Sequence, residues 1–387
     1  MSNEENLDLQ IVNKKVLINK YEHQPLKKEN ISLLDNPLII EEMNQNEENI
    51  LENIEQEEGG ESLNDSIILD HLKEDEKVDS NLENKIEQVD NIEPIENIEP
   101  VEKFEYISKN YDTLVLSGGS IKGMVILGSL QCAHDKYLLT NISNYIGTSS
   151  GSMICYLLAI GYTPLEIMVY ICTNQLLEKL KNFNIIEMLN GKGGVSYENI
   201  NEQLEKMTIK KIGFLPTLLE LKQKFGKNLV CVTHNLTLSK TEYLDYNSYP
   251  DLPCLTAIKM SSNLPLVFEI FKQGDAFYVD GGISDNFAID IGEKIGRRVL
   301  GIALIYENNT EIDVNSGIVA YIYKLMFVPI AQAMKYKIMQ TTEKTTVIKI
   351  SHGSFNLFNF DISSKDKLDM FTDGYNQMIK NLEIINN

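Results

Sequence analysis

Histidine and cysteine are scarce in this chain, with five of each among 387 residues. No C-x-x-C occurs, and no His, Cys or paired-carboxylate cluster has metal-ligand spacing, so neither a metal nor a cofactor is expected. The cysteines (Cys132, Cys155, Cys172, Cys231, Cys254) are odd in number and lie in apolar segments. That pattern fits buried thiols in a reducing compartment rather than a disulfide framework. The first residues, Met1-Ser2-Asn3-Glu4-Glu5, are acidic and lead into no apolar h-region, so no signal peptide is expected and the predicted location is cytoplasmic. Long apolar runs are also missing. The nearest approach is Gly317–Met334, which Lys324, Pro329 and Gln332 interrupt and which falls short of the ~20 residues of a span. A helix packed on a sheet is the first reading of that segment, a lipid-facing surface helix the second and a span the last. Two nucleotide signatures are incomplete. A P-loop needs G-K-[ST], but Lys122-Gly123 runs the other way. A dinucleotide turn needs a glycine where Ser120 stands and an acid about 20 residues on, yet no acid lies between Asp135 and Glu166.

Negative charge is abundant and unevenly placed. Residues 1–105 hold 29 Asp/Glu against 9 Lys/Arg, which gives −20 of the total net charge of −21. The remainder is nearly neutral, so anionic membranes repel it little and nucleic acid is not an expected partner. Residues 1–105 are predicted to be a disordered acidic arm, ending in the low-complexity repeat Asn91-Ile92-Glu93-Pro94-Ile95-Glu96/Asn97-Ile98-Glu99-Pro100-Val101-Glu102. The arm reads as an acidic spacer first, or as a tail that docks a protein partner. A single catalytic domain is expected over 106–387, with its core at 112–292 and an extension at 293–387.

Three motifs carry chemistry. Gly147-Thr148-Ser149-Ser150-Gly151 reads G-x-S-x-G between a strand (Asn144–Ile146) and an apolar helix (Ser152–Ala159). This is the strained elbow that exposes a serine nucleophile. Upstream, the strand Asp112–Ser117 runs into Gly118-Gly119-Ser120-Ile121-Lys122-Gly123 and a second apolar helix. Such a turn aims backbone N–H groups at a developing negative charge. The two turns are 31 residues apart, about one βαβ unit, so both should reach the same sheet edge. Downstream, the strand Ala276–Val279 delivers Asp280 into Gly281-Gly282.

In this order the three motifs resemble the patatin-like phospholipase family, lipid acyl hydrolases with a Ser–Asp dyad. Weaker blocks agree: Val232–Thr237, Ser261-Ser262-Asn263-Leu264-Pro265-Leu266-Val267-Phe268, and Asn286 after D-G-G. The resemblance spans about 112–292. It implies Ser149 as nucleophile and Asp280 as base. Gly118, Gly119, Ser120, Lys122 and Gly123 would form the oxyanion and substrate-binding turn, and Gly147, Gly151, Gly281, Gly282 and Asn286 would support it. The lipid substrate, a phospholipid or other lipid ester at a membrane or micelle surface, rests on the resemblance alone, as does peripheral membrane contact. The family turn has a third glycine where Ser120 stands; the backbone N–H survives that change if Ser120 adopts the needed dihedrals. Lys122 could meet a lipid phosphate or lie at the surface.

Residue chemistry supplies the steps. A serine hydroxyl needs a base, and a desolvated Asp280 can be one. Amides of Gly119, Ser120 and Ser150 would hold the oxyanion. A triad with His352 is the rival, because Ser149…Asp280…His352 has the chain order of an α/β-hydrolase. A soluble carboxylesterase and a catalytically weak scaffold are the alternative functions.

Periodicity and punctuation give the remaining elements. Helices are predicted from Thr163-Pro164 to about Leu180, from a Ser196 cap to Met207, and over Pro216–Lys224, Pro253–Ser262, Ala288–Ile295 and Ser364–Ile385. Gly191–Gly194 reads as a loop. Strands are expected at Asn228–Thr233, Lys240–Tyr246, Arg298–Leu304 and Thr345–Ile350. This alternation predicts a three-layer α/β/α sandwich with a mostly parallel central sheet.

Overall fold

A computed structural model of the chain describes residues 110–174, 184–190, 193–305, 318–353 and 362–386. The acidic arm, its boundary near residue 105 and the predicted helix end at Leu180 lie outside the described residues.

The elements run in the order β1 (Thr113–Leu116), α1 (Gly123–Asp135), β2 (Asn144–Thr148), α2 (Ser150–Ala159), α3 (Pro164–Thr173), α4 (Ile185–Leu189), α5 (Glu198–Ile212), α6 (Leu218–Phe225), β3 (Asn228–Asn235), β4 (Lys240–Leu244) and α7 (Cys254–Ser262). They continue with β5 (Phe271–Gln273), β6 (Ala276–Asp280), α8 (Gly282–Asp285), α9 (Ile289–Ile295), β7 (Val299–Leu304), α10 (Ile318–Met339), β8 (Thr345–Ile350) and α11 (Ser364–Asn386). Local chemistry sets several ends. Thr163 and Glu166 close a capping box at the start of α3, with Pro164 in its first turn. Thr217 and Glu220 do the same for α6, and Gly213 and Gly226 end α5 and α6 in left-handed conformation.

One sheet holds the order β5-β6-β3-β2-β1-β7-β8, with β4 also paired to β3. The pairs β3–β2, β2–β1, β1–β7 and β7–β8 are parallel. β4 and β6 run antiparallel to β3, and β5 antiparallel to β6. The central strands are buried on both faces, as continuous apolar runs in a parallel sheet require. Side chains alternate between two cores. Leu114 and Leu116 enter the larger one with residues of α1, α2, α5 and α7. Val115, Ile146 and Val230 enter the smaller, with Phe287, Ile289 and Met334. The described residues therefore form the expected three-layer α/β/α sandwich. The β5–β6 hairpin at one edge adds a strand too short to read from pattern.

The closing helix α11 crosses α1 at backbone distance. A Cβ at Gly128 would run into the Phe371 carbonyl, and one at Gly374 into that of Val125. Ser129 Oγ completes the crossing by donating to Gly374 O at 2.9 Å.

Helix α10 is apolar but not a span; among the described residues no single helix is long and apolar enough to cross a membrane. It contacts α8 and α9 and sends Met334 into the smaller core, so the sheet-packed reading holds for its C-terminal half. Further up, Tyr321, Ile322, Leu325 and Val328 are exposed.

Candidate active site

The parallel pair β1–β2 brings both glycine turns to one sheet edge, with Leu116 opposite Gly147. The chain then turns sharply into α2 at Ser149, whose φ is +55° and ψ −127°. A non-glycine residue there costs of order 1–3 kcal/mol. The elbow is held by Ser152, whose amide and hydroxyl donate to Ser149 O at 2.9 and 2.6 Å. Gly147 and Gly151 flank it because backbones touch: a Cβ on Gly151 would stand 2.6 Å from Ser117 O and 2.8 Å from Leu116 O. Gly151→Ala should therefore destabilise the fold by about 2 kcal/mol or more. Urea denaturation would measure it.

Asp280 ends β6, opposite Thr233 of β3, and is only 2% exposed. Its Oδ1 accepts from Gly282 N–H at 2.7 Å, while Oδ2 is buried without a partner. Burial pushes the carboxyl up to about 6, and the nearby Ser149 hydroxyl and the Gly282 amide pull it partly back. Ser149 and Asp280 line the same pocket, although no hydrogen bond of ordinary geometry closes on Oδ2. Such pairs commonly tighten only when substrate is bound. Asn286 links this segment to the first turn: its carbonyl accepts from Gly118 N–H at 3.1 Å and its Nδ2 donates to Gly118 O at 3.4 Å. Gly281 sits against the Val232 carbonyl.

Two expected site groups, Lys122 and the Gly119 amide, already have partners, and the rival triad is not seen. Lys122 does not line the pocket into which Ser149 and Asp280 open. It is 7% exposed, and its Nζ donates to His352 O at 2.6 Å and Gly353 O at 3.4 Å, tying the glycine turn to the end of β8. Burial lowers its pKa. The amide of Gly119 is not open, because it donates to Ser150 Oγ at 3.2 Å. That hydroxyl covers one expected oxyanion donor, and a hydroxyl rotation would uncover it. His352 makes no triad: its Nδ1 pairs with Asp373 Oδ2 at 2.9 Å, and among the described residues Asp280 has no histidine partner. Ser120 has φ +52°, the left-handed conformation that a glycine would take easily. Of the other described histidines, His134 is beside Asp135 and His234 on β3.

Ser149, Ser150, Asp280, Asn286 and the turn residues Gly118–Ile121 and Gly123 open on one pocket. Its walls are apolar, with Leu127, Leu157, Ile171, Leu204, Val267 and Phe327 drawn from five helices and the loop after α7. Met326, Phe327 and Ile330 bring α10 to this wall, a contribution that sequence alone gave only as an apolar run. Among the described residues no His/Cys/Asp/Glu group could hold a metal.

The family model for patatin-like phospholipase matches residues 114–292. A probable lipid hydrolase of Invertebrate iridescent virus 6 is 40% identical over 192 residues, covering 48% of this chain and 64% of that protein's length. An uncharacterized protein of Acanthamoeba polyphaga mimivirus is 26% identical over 268 residues, covering 66% of this chain and 89% of that one. Among solved structures, VipD from Legionella pneumophila is similar at a TM-score of 0.44 and 17% identity, covering 71% of this chain and 67% of that one. The elbow, the glycine turn and the D-G-G segment all fall inside residues 114–292, the stretch of this chain that matches the patatin-like phospholipase family.

Proposed function

We propose that the chain is a lipid acyl hydrolase of the phospholipase A or lysophospholipase kind. One observation carries the reading: a serine on a strained elbow and a buried, half-unpartnered carboxylate meet at an apolar pocket. Asp280 takes the proton of Ser149, whose oxygen attacks the ester carbonyl. The amides of Ser120 and Ser150, joined by Gly119 once the Ser150 hydroxyl turns aside, hold the oxyanion. The N-terminal end of α2 adds its partial positive charge beside Ser149. The alcohol leaves with the proton held by Asp280. Water, deprotonated by the same carboxylate, then clears the acyl-enzyme. The acyl chain lies along the apolar walls, which gives a long-chain ester its advantage over a short soluble one.

The reading is tested by fluorophosphonate labelling and lipid release. A covalent adduct at Ser149 and fatty acid release from micellar phospholipid are expected. No adduct in folded protein sinks the hydrolase reading, and equal turnover of short soluble esters would point to a general carboxylesterase.

The exposed face of α10 supports contact with a lipid surface, because the same helix lines the pocket. Leu325→Asp with Val328→Asp should weaken co-sedimentation with phosphatidylcholine liposomes by about tenfold, at roughly 1.4 kcal/mol per decade. Unchanged binding would count against a lipid-facing α10.

A further inference from the structure

The last turn of α7 touches both halves of the candidate dyad. Carbonyls at a helix C-terminus lack intrahelical partners, and here the D-G-G strand end uses them. Ser261 O accepts from Gly281 N–H at 3.1 Å, and just beyond the helix Asn263 O accepts from Asp280 N–H at 3.0 Å. Met260 O accepts from Thr233 Oγ1 at 2.8 Å. The elbow has the complementary need. Ser149 precedes the first turn of α2, so its amide has no acceptor inside that helix, and its φ of +55° must be held from outside. Ser261 Oγ supplies the acceptor, taking the Ser149 N–H at 3.0 Å.

We propose that Ser261 is a positioning residue: its hydroxyl fixes the Ser149 elbow and its carbonyl fixes the Asp280 turn, so one buried residue sets the spacing of the two. The proposal rests on the reading of Ser149 and Asp280 as nucleophile and base. Its neighbour makes the mount rigid. Ser262 Oγ lies 2.7 Å from Tyr197 Oη and donates to Ile258 O at 2.7 Å. Tyr197 is fully buried and packs edge-on against Phe268 with ring centroids 5.1 Å apart. Ser261 itself is 0% exposed, so no water replaces its hydroxyl. Ser261 touches neither carbonyl carbon nor leaving group; it acts through the amide of Ser149. Misplacing a reacting group by about 1 Å can cost 10²-fold in rate.

The experiment compares wild type, Ser261→Ala, Ser261→Thr and Ser149→Ala, using a p-nitrophenyl ester and micellar lysophosphatidylcholine, with fluorophosphonate labelling rates and Tm measured in parallel. Ser261→Ala should lower kcat and the labelling rate by about 10–100-fold while KM stays within about twofold. Ser261→Thr, which keeps the hydroxyl, should restore most of both. Ser261→Cys, similar in volume but a weaker acceptor, should fall between and serves if the alanine variant does not fold. Wild-type labelling and kcat in a folded Ser261→Ala, or no rescue by threonine in a protein of normal Tm, would overturn the proposal. Full hydrolysis by Ser149→Ala would instead remove the reading on which it rests, so the two failures are distinguishable.

Discussion

Ser149→Ala is expected to lower lipid ester hydrolysis by about 10⁴-fold or more, the scale seen when the nucleophile of a serine hydrolase is removed. The folded protein should survive the change. The hydroxyl is no part of the elbow's support, which comes from bonds to the backbone of residue 149, and alanine meets the same strain at φ +55° as serine. A second effect follows at Asp280. The Ser149 hydroxyl is one of two groups that lower this carboxyl against the effect of burial, so its loss should raise the Asp280 pKa further above about 6. Carboxyl ¹³C NMR of the variant against wild type would read the shift. Retention of a tenth of wild-type activity would end the nucleophile assignment.

Asp280→Asn should remove activity by about 10²–10⁴-fold, the range for a general base, and yet stabilise the fold above pH 6. The sign follows from the raised pKa. The carboxyl moves from its ordinary 3.8 to about 6 in the folded protein. Between those values the native state holds a proton that the unfolded chain has released. The stability this group contributes is therefore fully present below about pH 4, declines as pH rises to 6, and stays at the lower level above. At about 1.4 kcal/mol per unit the decline is about 3 kcal/mol. Asparagine carries no such penalty, so urea midpoints of the two proteins should coincide near pH 4 and diverge by pH 7 in favour of the variant. For the same reason, kcat/KM of the wild type should climb with pH through a midpoint near 6, where the base loses its proton. A flat rate profile from pH 5 to 8 would rule out Asp280 as base.

The sequence was informative where backbone and pattern decide the outcome. Strand–turn–helix units with glycines at the bend can form little else, so β1, β2 and the elbow stand where periodicity put them. Side-chain direction was not legible. Lys122 belongs to the glycine turn in sequence, but the tight 3₁₀ turn there aims its ammonium at carbonyls more than two hundred residues later. His352 has the right place in chain order, but Asp373, one helical turn before Gln377 on α11, captures its ring. The Ser150 hydroxyl on Gly119 N–H depends on a rotamer, which no motif records. The acceptor for the Ser149 amide comes from a helix that begins more than one hundred residues downstream.

The Lys122 strap also bears on where this fold can be cut. The family match ends at residue 292, yet the carbonyls of His352 and Gly353 that receive the ammonium, and the α11 backbone that lies on α1, come from the last quarter of the chain. Excising the matched stretch would strip a desolvated cation of those acceptors and bare an apolar helix. The smallest piece able to fold as described therefore extends through α11, and that helix closes the domain rather than hanging from it.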